Sequence, residues 1–403
     1  MSRISVTEEK GPDALVSLRA EWQELFAQAE SASPFLSWEW ITSWHARLGQ
    51  SITPRIFCAR SNGALVGVLP LGEARGRGRL TRSVRLLSFL GERLVGGDYL
   101  DVLGRPGVED DAARAIFEYL AQESSFDVLQ LDGLAGDSPT LALLAWRFAE
   151  DKAFEHNVTP YEICPYLRLA DTGQEAIEAS RRPHEFRRKL RQLTALSGFQ
   201  VPVITAPKEV PAALERFFTL HDRRWAEQGG SDAMARPAVK AFHRDLVPGL
   251  AHAGAIRFEE IWAEGKCIAS LYGINRKERF FFYQCGYDPD WARRSVGFVR
   301  LGLSIADAAD RGVRVYDFLR GSEAYKFDWA NAARSTLAVR ISRRSAAGRA
   351  FVAGENLRAA AKLTARAVLP MRAVELLRRQ RRRAQRSELR GVPAGAEQPQ
   401  EKP

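Results

Sequence analysis

Cysteine and methionine are both scarce in this chain, with four of the first and three of the second among 403 residues. Cys58, Cys164, Cys267 and Cys285 stand far apart, each inside an apolar run. That spacing argues against a disulfide framework or thiolate cluster and predicts small buried hydrophobes. Six histidines lack ligand spacing, so no metal is expected. No window approaches the roughly 20 uninterrupted apolar residues of a membrane span. The opening MSRISVTEEKGPDAL has no apolar h-region, so the expectation is a cytoplasmic protein without a secretory signal.

Charge is present but uneven. The net charge is +10, and sixteen of the 59 Lys/Arg but only five of the 49 Asp/Glu fall in residues 340–403. The preceding 339 residues are therefore close to neutral, which argues against a specific nucleic-acid partner. The end of the chain, 346–403, is a basic helical tail: Leu357, Leu363, Val368, Val374 and Leu377 recur among arginines, Pro370 interrupts, and 378–386 is almost wholly basic. Such a helix either frays in solvent ahead of a disordered GVPAGAEQPQEKP, lies on an anionic membrane surface, or binds an acidic partner, a polysaccharide or, nonspecifically, nucleic acid.

The remainder predicts an α/β fold. Helices are expected at 12–30 and 35–48, the second carrying Trp38, Trp40 and Trp44, which either anchor it to a sheet or line a cleft. A hairpin follows, 55–59 and 65–71 around Asn62-Gly63, a type I′ pair. Arginines 75, 77, 79, 82 and 85 then mark a solvated loop or an anion site. Further strands are predicted at 84–90, 99–103 and 127–131, with helices at 109–124 and 138–151. Beyond Pro160, a strand at 161–169 leads to a basic helix, 174–196, and helices at 210–228 and 237–253. A second hairpin, 255–262 and 267–274, turns at Glu264-Gly265.

Two segments repeat in the same order. ARSNGALVGVLPL (59–71) lines up with WAEGKCIASLYG (262–273), and FDVLQL (126–131) with YDFLRG (316–321). The spacing predicts a duplicated α/β unit, divided as 1–158 and 159–345.

The stretch 279–329 is the organising one. Aromatic residues 280–286 form a strand, Asp288-Pro289 breaks it, 299–309 has helical spacing ending at Gly312, and 313–319 is apolar again. Between strand and helix lie Arg293, Arg294, Ser295, Val296 and Gly297: two cations and a glycine at a helix N-terminus, where free N–H groups and the helix dipole favour an anion.

This loop resembles the Arg/Gln-x-x-Gly-x-Gly/Ala pyrophosphate loop of GNAT acyltransferases, with Arg294 and Gly297 in place and Val299 where Gly or Ala is usual. Tyr316–Trp329, YDFLRGSEAYKFDW, resembles the signature of CelD/BcsL-type acetyltransferases of cellulose and exopolysaccharide synthesis, a group similar to the tandem-GNAT Fem-type transferases. The layout matches over 21–341, and most specifically after Ile261. The resemblance implies two tandem GNAT-like units, with acetyl-CoA or another acyl-CoA as donor and an amine or hydroxyl on a small molecule or glycan as acceptor. Aminoacyl-tRNA-dependent transfer and a non-catalytic accessory role are the alternatives.

Acyl transfer needs a phosphate cradle, oxyanion donors, a base and an acid. Arg294, Ser295, Val296 and Gly297 are expected to hold the pyrophosphate, with Arg293 adding charge. Backbone N–H groups near Cys285, Gly286 and Tyr287 would meet the oxyanion. After the last core strand, Tyr325 is the candidate acid and Glu323 the candidate base, while Asp317 and Arg320 pair with each other or orient the substrate. The structural alternative is that Asp317 caps a turn and Lys326 is solvated.

Overall fold

The computed structural model describes residues 4–76, 82–122, 125–226 and 234–368. Arg77 and Arg79 of the basic loop, and the tail's basic run and terminus, lie outside them. Contacts divide the chain after Gly348, and the sheet described here, with both repeated units, lies within Met1–Gly348.

In chain order the elements are β1 (Ile4–Lys10), α1 (Pro12–Ser17), α2 (Arg19–Gln28), α3 (Trp38–Leu48), β2 (Thr53–Ser61), β3 (Ala64–Arg75), β4 (Arg85–Phe89), β5 (Leu103–Gly104), α4 (Glu109–Gln122), β6 (Val128–Ala135), α5 (Pro139–Phe148) and β7 (Phe154–Arg168). There follow α6 (Gly173–Glu178), α7 (Pro183–Thr194), β8 (Val203–Ile204), α8 (Val210–Ala226), α9 (Pro237–His252), β9 (Ile256–Ala263), β10 (Lys266–Arg276), β11 (Arg279–Tyr287), α10 (Val296–Asp310), β12 (Val315–Asp317), α11 (Ala324–Phe327), β13 (Ala332–Arg343) and α12 (Ala346–Val368).

The strands make one mixed sheet, β1-β2-β3-β4-β6-β13-β7-β12-β11-β10-β9-β8, with β5 beside β3. It contains the same arrangement twice. β1-β2-β3-β4 is antiparallel and β4 runs parallel to β6; β8-β9-β10-β11 is antiparallel and β11 runs parallel to β12. Helices α4 and α10 occupy equivalent crossovers. Each half then sends its last strand into the other: β7 pairs with β12, β13 pairs with β6, and the two strands pair with each other from Ala332↔Tyr166 to Arg343↔Phe154. The repeated hairpins turn alike, at Asn62-Gly63 (φ 50° and 82°) and Glu264-Gly265 (φ 52° and 73°), the positive angles a type I′ turn requires. The fold is thus a tandem pair of GNAT-like units, mixed sheet flanked by helices.

Several local expectations are corrected. Residues 99–103 form no strand beyond Leu103, because Tyr99 takes a left-handed conformation (φ 58°) in a loop. The basic segment 174–196 is two helices, since Pro183 cannot continue the first and instead opens the second. Strands β1, β8 and β13 were not anticipated; β13, AARSTLAVRISR, carries three arginines that hide its strand period.

The tryptophans of α3 are anchors. Trp40 and Trp44 are fully buried and donate to Gly91 O and Arg93 O at 2.9 Å, while Trp38 donates to Leu15 O. Trp40 also meets Phe242 of α9 edge-on at 5.0 Å, so the two halves share one core. A second core lies under α10, where Val299 and Ile305 face Phe280, Tyr316 and Phe318. All four cysteines are free, and Cys58, Cys164 and Cys285 are buried. Among the described residues no helix is long and apolar enough to cross a membrane.

The exchanged strand gives a direct test. A chain ending at Asn331 lacks β13 and leaves the inner edges of β6 and β7 bare, so it is expected to show no cooperative urea transition by circular dichroism. Ile341→Ala, at a fully buried site on β13, should keep the transition but lose about 2–5 kcal/mol.

Candidate functional site

The site begins where two parallel strands part. β11 pairs with β12 only from Arg279↔Val315 to Phe281↔Asp317, and β11 then runs on to Tyr287 alone on that edge. A register shift at Tyr272/Gly273 leaves Tyr283 as the extra residue of a bulge, which bends the strand away. Asp288 N donates to Ile268 O at 2.9 Å, so residue 288 faces β10. Alternation along the strand then turns the N–H groups of Tyr287 and Cys285 to the edge at the opening, where Cys285 N donates to Gln284 Oε1 at 3.3 Å.

Asp288 shapes the next turn. Its carboxylate caps Asp290 N at 3.1 Å and pairs with Arg223 at 2.6 Å, while Ser295 takes φ 56° and starts α10. The first amide to find a helical acceptor is Val299 N, bonded to Ser295 O at 3.1 Å, so Val296, Gly297 and Phe298 present N–H groups with no intrahelical acceptor. Buried Arg300 fixes the helix, donating to Glu260 O at 3.1 Å and to the Glu259 carboxylate at 3.2 Å. Val299 is fully buried and faces the core, so its bulk stays out of the opening.

A cavity of about 240 Å³ fills the gap. Cys285 and Tyr287 from β11, Ser295, Val296 and Gly297 from the helix start, and Tyr325 all line it, with apolar walls at Phe298, Leu301 and Trp329. Six of the residues singled out from sequence therefore meet in one place. Gly286 does not line it: a side chain there would strike His221 N of α8 at 2.6 Å, so this glycine admits the helix. Arg293 and Arg294 are exposed outside, Arg294 over the Trp291 ring at 5.0 Å and Arg293 O accepting from Lys189.

A groove of about 340 Å³ adjoins the cavity. Arg224, Phe282 and Tyr325 line both. Tyr325 is 36% exposed but stands in the cleft, where burial of its hydroxyl and then the neighbouring Glu323 push its pKa well above the ordinary 10, keeping it protonated at neutral pH. Glu323 sits on the groove, paired with Lys326 at 2.9 Å.

Asp317 and Arg320 do not bond to each other. Buried Asp317 accepts from Leu319 N at 2.8 Å and Tyr99 O–H at 3.1 Å, holding a turn in which Leu319 has φ 57°; burial lifts its pKa to about 6. Arg320 reaches into the first half instead, pairing with Asp98, with Glu92 at 3.2 Å and with Gly97 O at 3.0 Å. Lys326 is 3% exposed rather than solvated and donates to Arg320 O at 2.6 Å. These three groups build the wall rather than face the cavity. Sequence reading missed Arg224, whose relevance arises from α8 packing over β11, a contact with no local signal.

Residues 180–327 match the profile of the acetyltransferase (GNAT) domain family. No curated protein matches the chain. Among solved structures, FemX is similar over 80% of this chain and 95% of its own, with TM-score 0.58 and 10% identity. A protein from Agrobacterium fabrum, described as the C-terminal domain of a lysylphosphatidylglycerol synthetase, is similar over 85% of this chain and 96% of its own, with TM-score 0.55 and 10% identity. At that identity the likeness shows the fold alone.

Removing Arg320 would leave the Asp98 carboxylate, 1% exposed, without its cation. Arg320→Met should therefore cost about 3–5 kcal/mol in urea unfolding, and adding Asp98→Asn should return part of that loss. Residues 180–327 are thus similar to the acetyltransferase (GNAT) domain family, within a mixed sheet built of two like halves.

Proposed function

We propose that the protein is an acyl-CoA-dependent acyltransferase, its second unit catalytic and its first unit helping to wall the acceptor groove. The observation that carries this reading is that the α10 N-terminus and Tyr325 line one cavity, and Tyr325 also lines the groove next to it. An acyl-CoA fits the residues present. Free N–H groups and the dipole of a 15-residue helix suit a pyrophosphate, and the walls at Phe298, Leu301 and Trp329 suit a thin, largely uncharged arm. Among the described residues the equivalent helix of the first unit offers no such cradle, because α4 opens on Glu109, Asp110 and Asp111, whose charge repels phosphate.

Each residue then has a role. Val296, Gly297 and Phe298 donate backbone N–H bonds to the donor's pyrophosphate beside Ser295, and Arg293 and Arg294 add charge at the rim. Tyr287 turns its N–H to the carbonyl oxygen as it gains charge, and Cys285 N–H joins it on leaving the Gln284 side-chain oxygen, its acceptor at 3.3 Å. Glu323 takes the proton from the attacking amine or hydroxyl, and Tyr325 gives its proton to the leaving thiolate. The likeness of Tyr316–Trp329 to CelD/BcsL-type enzymes supports a glycan or cell-envelope acceptor. Contact of the basic tail with an anionic membrane surface would bring the enzyme to such an acceptor.

Calorimetry with acetyl-CoA tests the donor. Saturable binding is expected, and Gly297→Trp should abolish it, since a side chain there first meets the Tyr287 ring at 3.0 Å and then the cradle. No heat with acetyl-CoA, against saturable binding of aminoacyl-tRNA, would replace this donor by that of the Fem-type alternative.

The acid is tested separately. Tyr325→Phe should lower kcat by about 100-fold or more while leaving acetyl-CoA binding intact. Because the phenol must be neutral and its pKa is raised, kcat should show no alkaline fall from this group below pH 10. A fall near neutrality in the wild type that persists in Tyr325→Phe would assign the proton to another residue.

A further inference from the structure

Among the described residues, the charges lining the cavity and groove pair with one exception. Asp98 is matched by Arg320 and Glu323 by Lys326. Arg224 lines both spaces and has no carboxylate partner among the described residues. Its neighbours on α8 differ sharply. Arg223 holds both Asp288 and Asp290, at 2.6 Å and 3.1 Å, and Asp222 is held by Lys240 at 2.5 Å.

Arg224 is nonetheless held in place. One terminal nitrogen donates to Cys285 O at 2.9 Å, and its guanidinium lies over the Tyr287 ring at 4.8 Å and the Trp225 ring at 5.3 Å. Its Nε is closed off from solvent with no acceptor. A partly buried guanidinium without a counter-charge is costly unless a ligand supplies one. The donor does not. In the proposed pose its pyrophosphate sits at the α10 N-terminus, and the thioester that reaches the junction is neutral.

We infer that the acceptor supplies the anion: a carboxylate a few bonds from the nucleophile, seated on Arg224, as in an amino acid or a uronic-acid sugar. The inference rests on the acyl-transfer reading and narrows its substrate class. Arg is suited to the task because its planar fork matches a carboxylate, which a point-charged lysine does not. Tyr325, sharing the same junction, stays beside the reacting carbonyl.

Matched acceptors decide it. With acetyl-CoA present, thiol release and ligand-detected saturation-transfer NMR are measured for α-amino acids against their decarboxylated amines, and for glucuronate and galacturonate against glucose and galactose. The expected result is that at least one carboxylated member binds or reacts about tenfold better than its uncharged-arm counterpart. Which series responds tells amino acid from sugar acid. In Arg224→Met that preference should vanish through a rise in KM or loss of the NMR signal, while Arg224→Lys keeps part of it and urea midpoints confirm that both variants fold. Failure of every carboxylated member to bind the wild type, equal binding of both members of each pair, or a preference that survives in Arg224→Met overturns the inference. Failure of acetyl-CoA itself to bind falls instead on the donor assignment.

Discussion

Everything at the site follows from two parallel strands that stop pairing after Phe281 and Asp317. An unzipped parallel pair exposes backbone groups that must find other partners or face water or a ligand. Here the two sides are propped apart by different means. On the β12 side, Asp317 holds Leu319 N, Lys326 holds Arg320 O, and Arg320 is tied to Asp98, so the chain turns outward at once. On the β11 side, the bulge at Tyr283 and the Arg224 bond to Cys285 O carry the strand the other way. A helix start then closes the gap's mouth.

The props come partly from the first unit, which explains why the two halves exchange strands. β7 and β13 occupy the sheet's centre, so the wall carrying Asp317 is paired on its far edge with a strand from the other half. Asp98, Glu92 and Tyr99 reach the same wall from the loop after β4. Stiffness here is ionic as well as apolar. Asp98 and Lys326 are nearly inaccessible, and each is bonded at short range, the condition under which buried charge is tolerated.

The repeat and much of the site were legible because they depend on local chemistry. Asn62-Gly63 and Glu264-Gly265 announce their turns by residue type, and the Asp288-to-Gly297 loop announces an interrupted strand before a helix. The polar cluster after β12 was visible as a cluster, but its roles were not. Asp317 and Arg320 lie three positions apart and invite pairing, yet their partners are a main-chain amide and residues more than 200 positions away. Strand β13 escaped because an arginine-bearing central strand has no clean alternation, and Arg224 because only tertiary packing puts it beside Cys285. Residues whose function depends on which helix covers which strand leave no mark in their own neighbourhood.

The proposed donor and acceptor sides also differ in origin. The proposed donor cavity is lined by residues of the second unit alone, whereas the groove takes Leu94, Val95, Gly96 and Asp98 from the first. The first unit's own crossover helix opens on three carboxylates, which disfavour a phosphate, and in its loop after β4 Leu94, Val95 and Gly96 line the groove without the ties to the wall that Glu92, Asp98 and Tyr99 make. Changes there alter the groove without touching the α10 cradle. Under the proposed function, acceptor selectivity can therefore be altered from the first unit without altering the donor cavity. Arg224, reaching the junction from the second unit's own helix, is the charged residue that both spaces share.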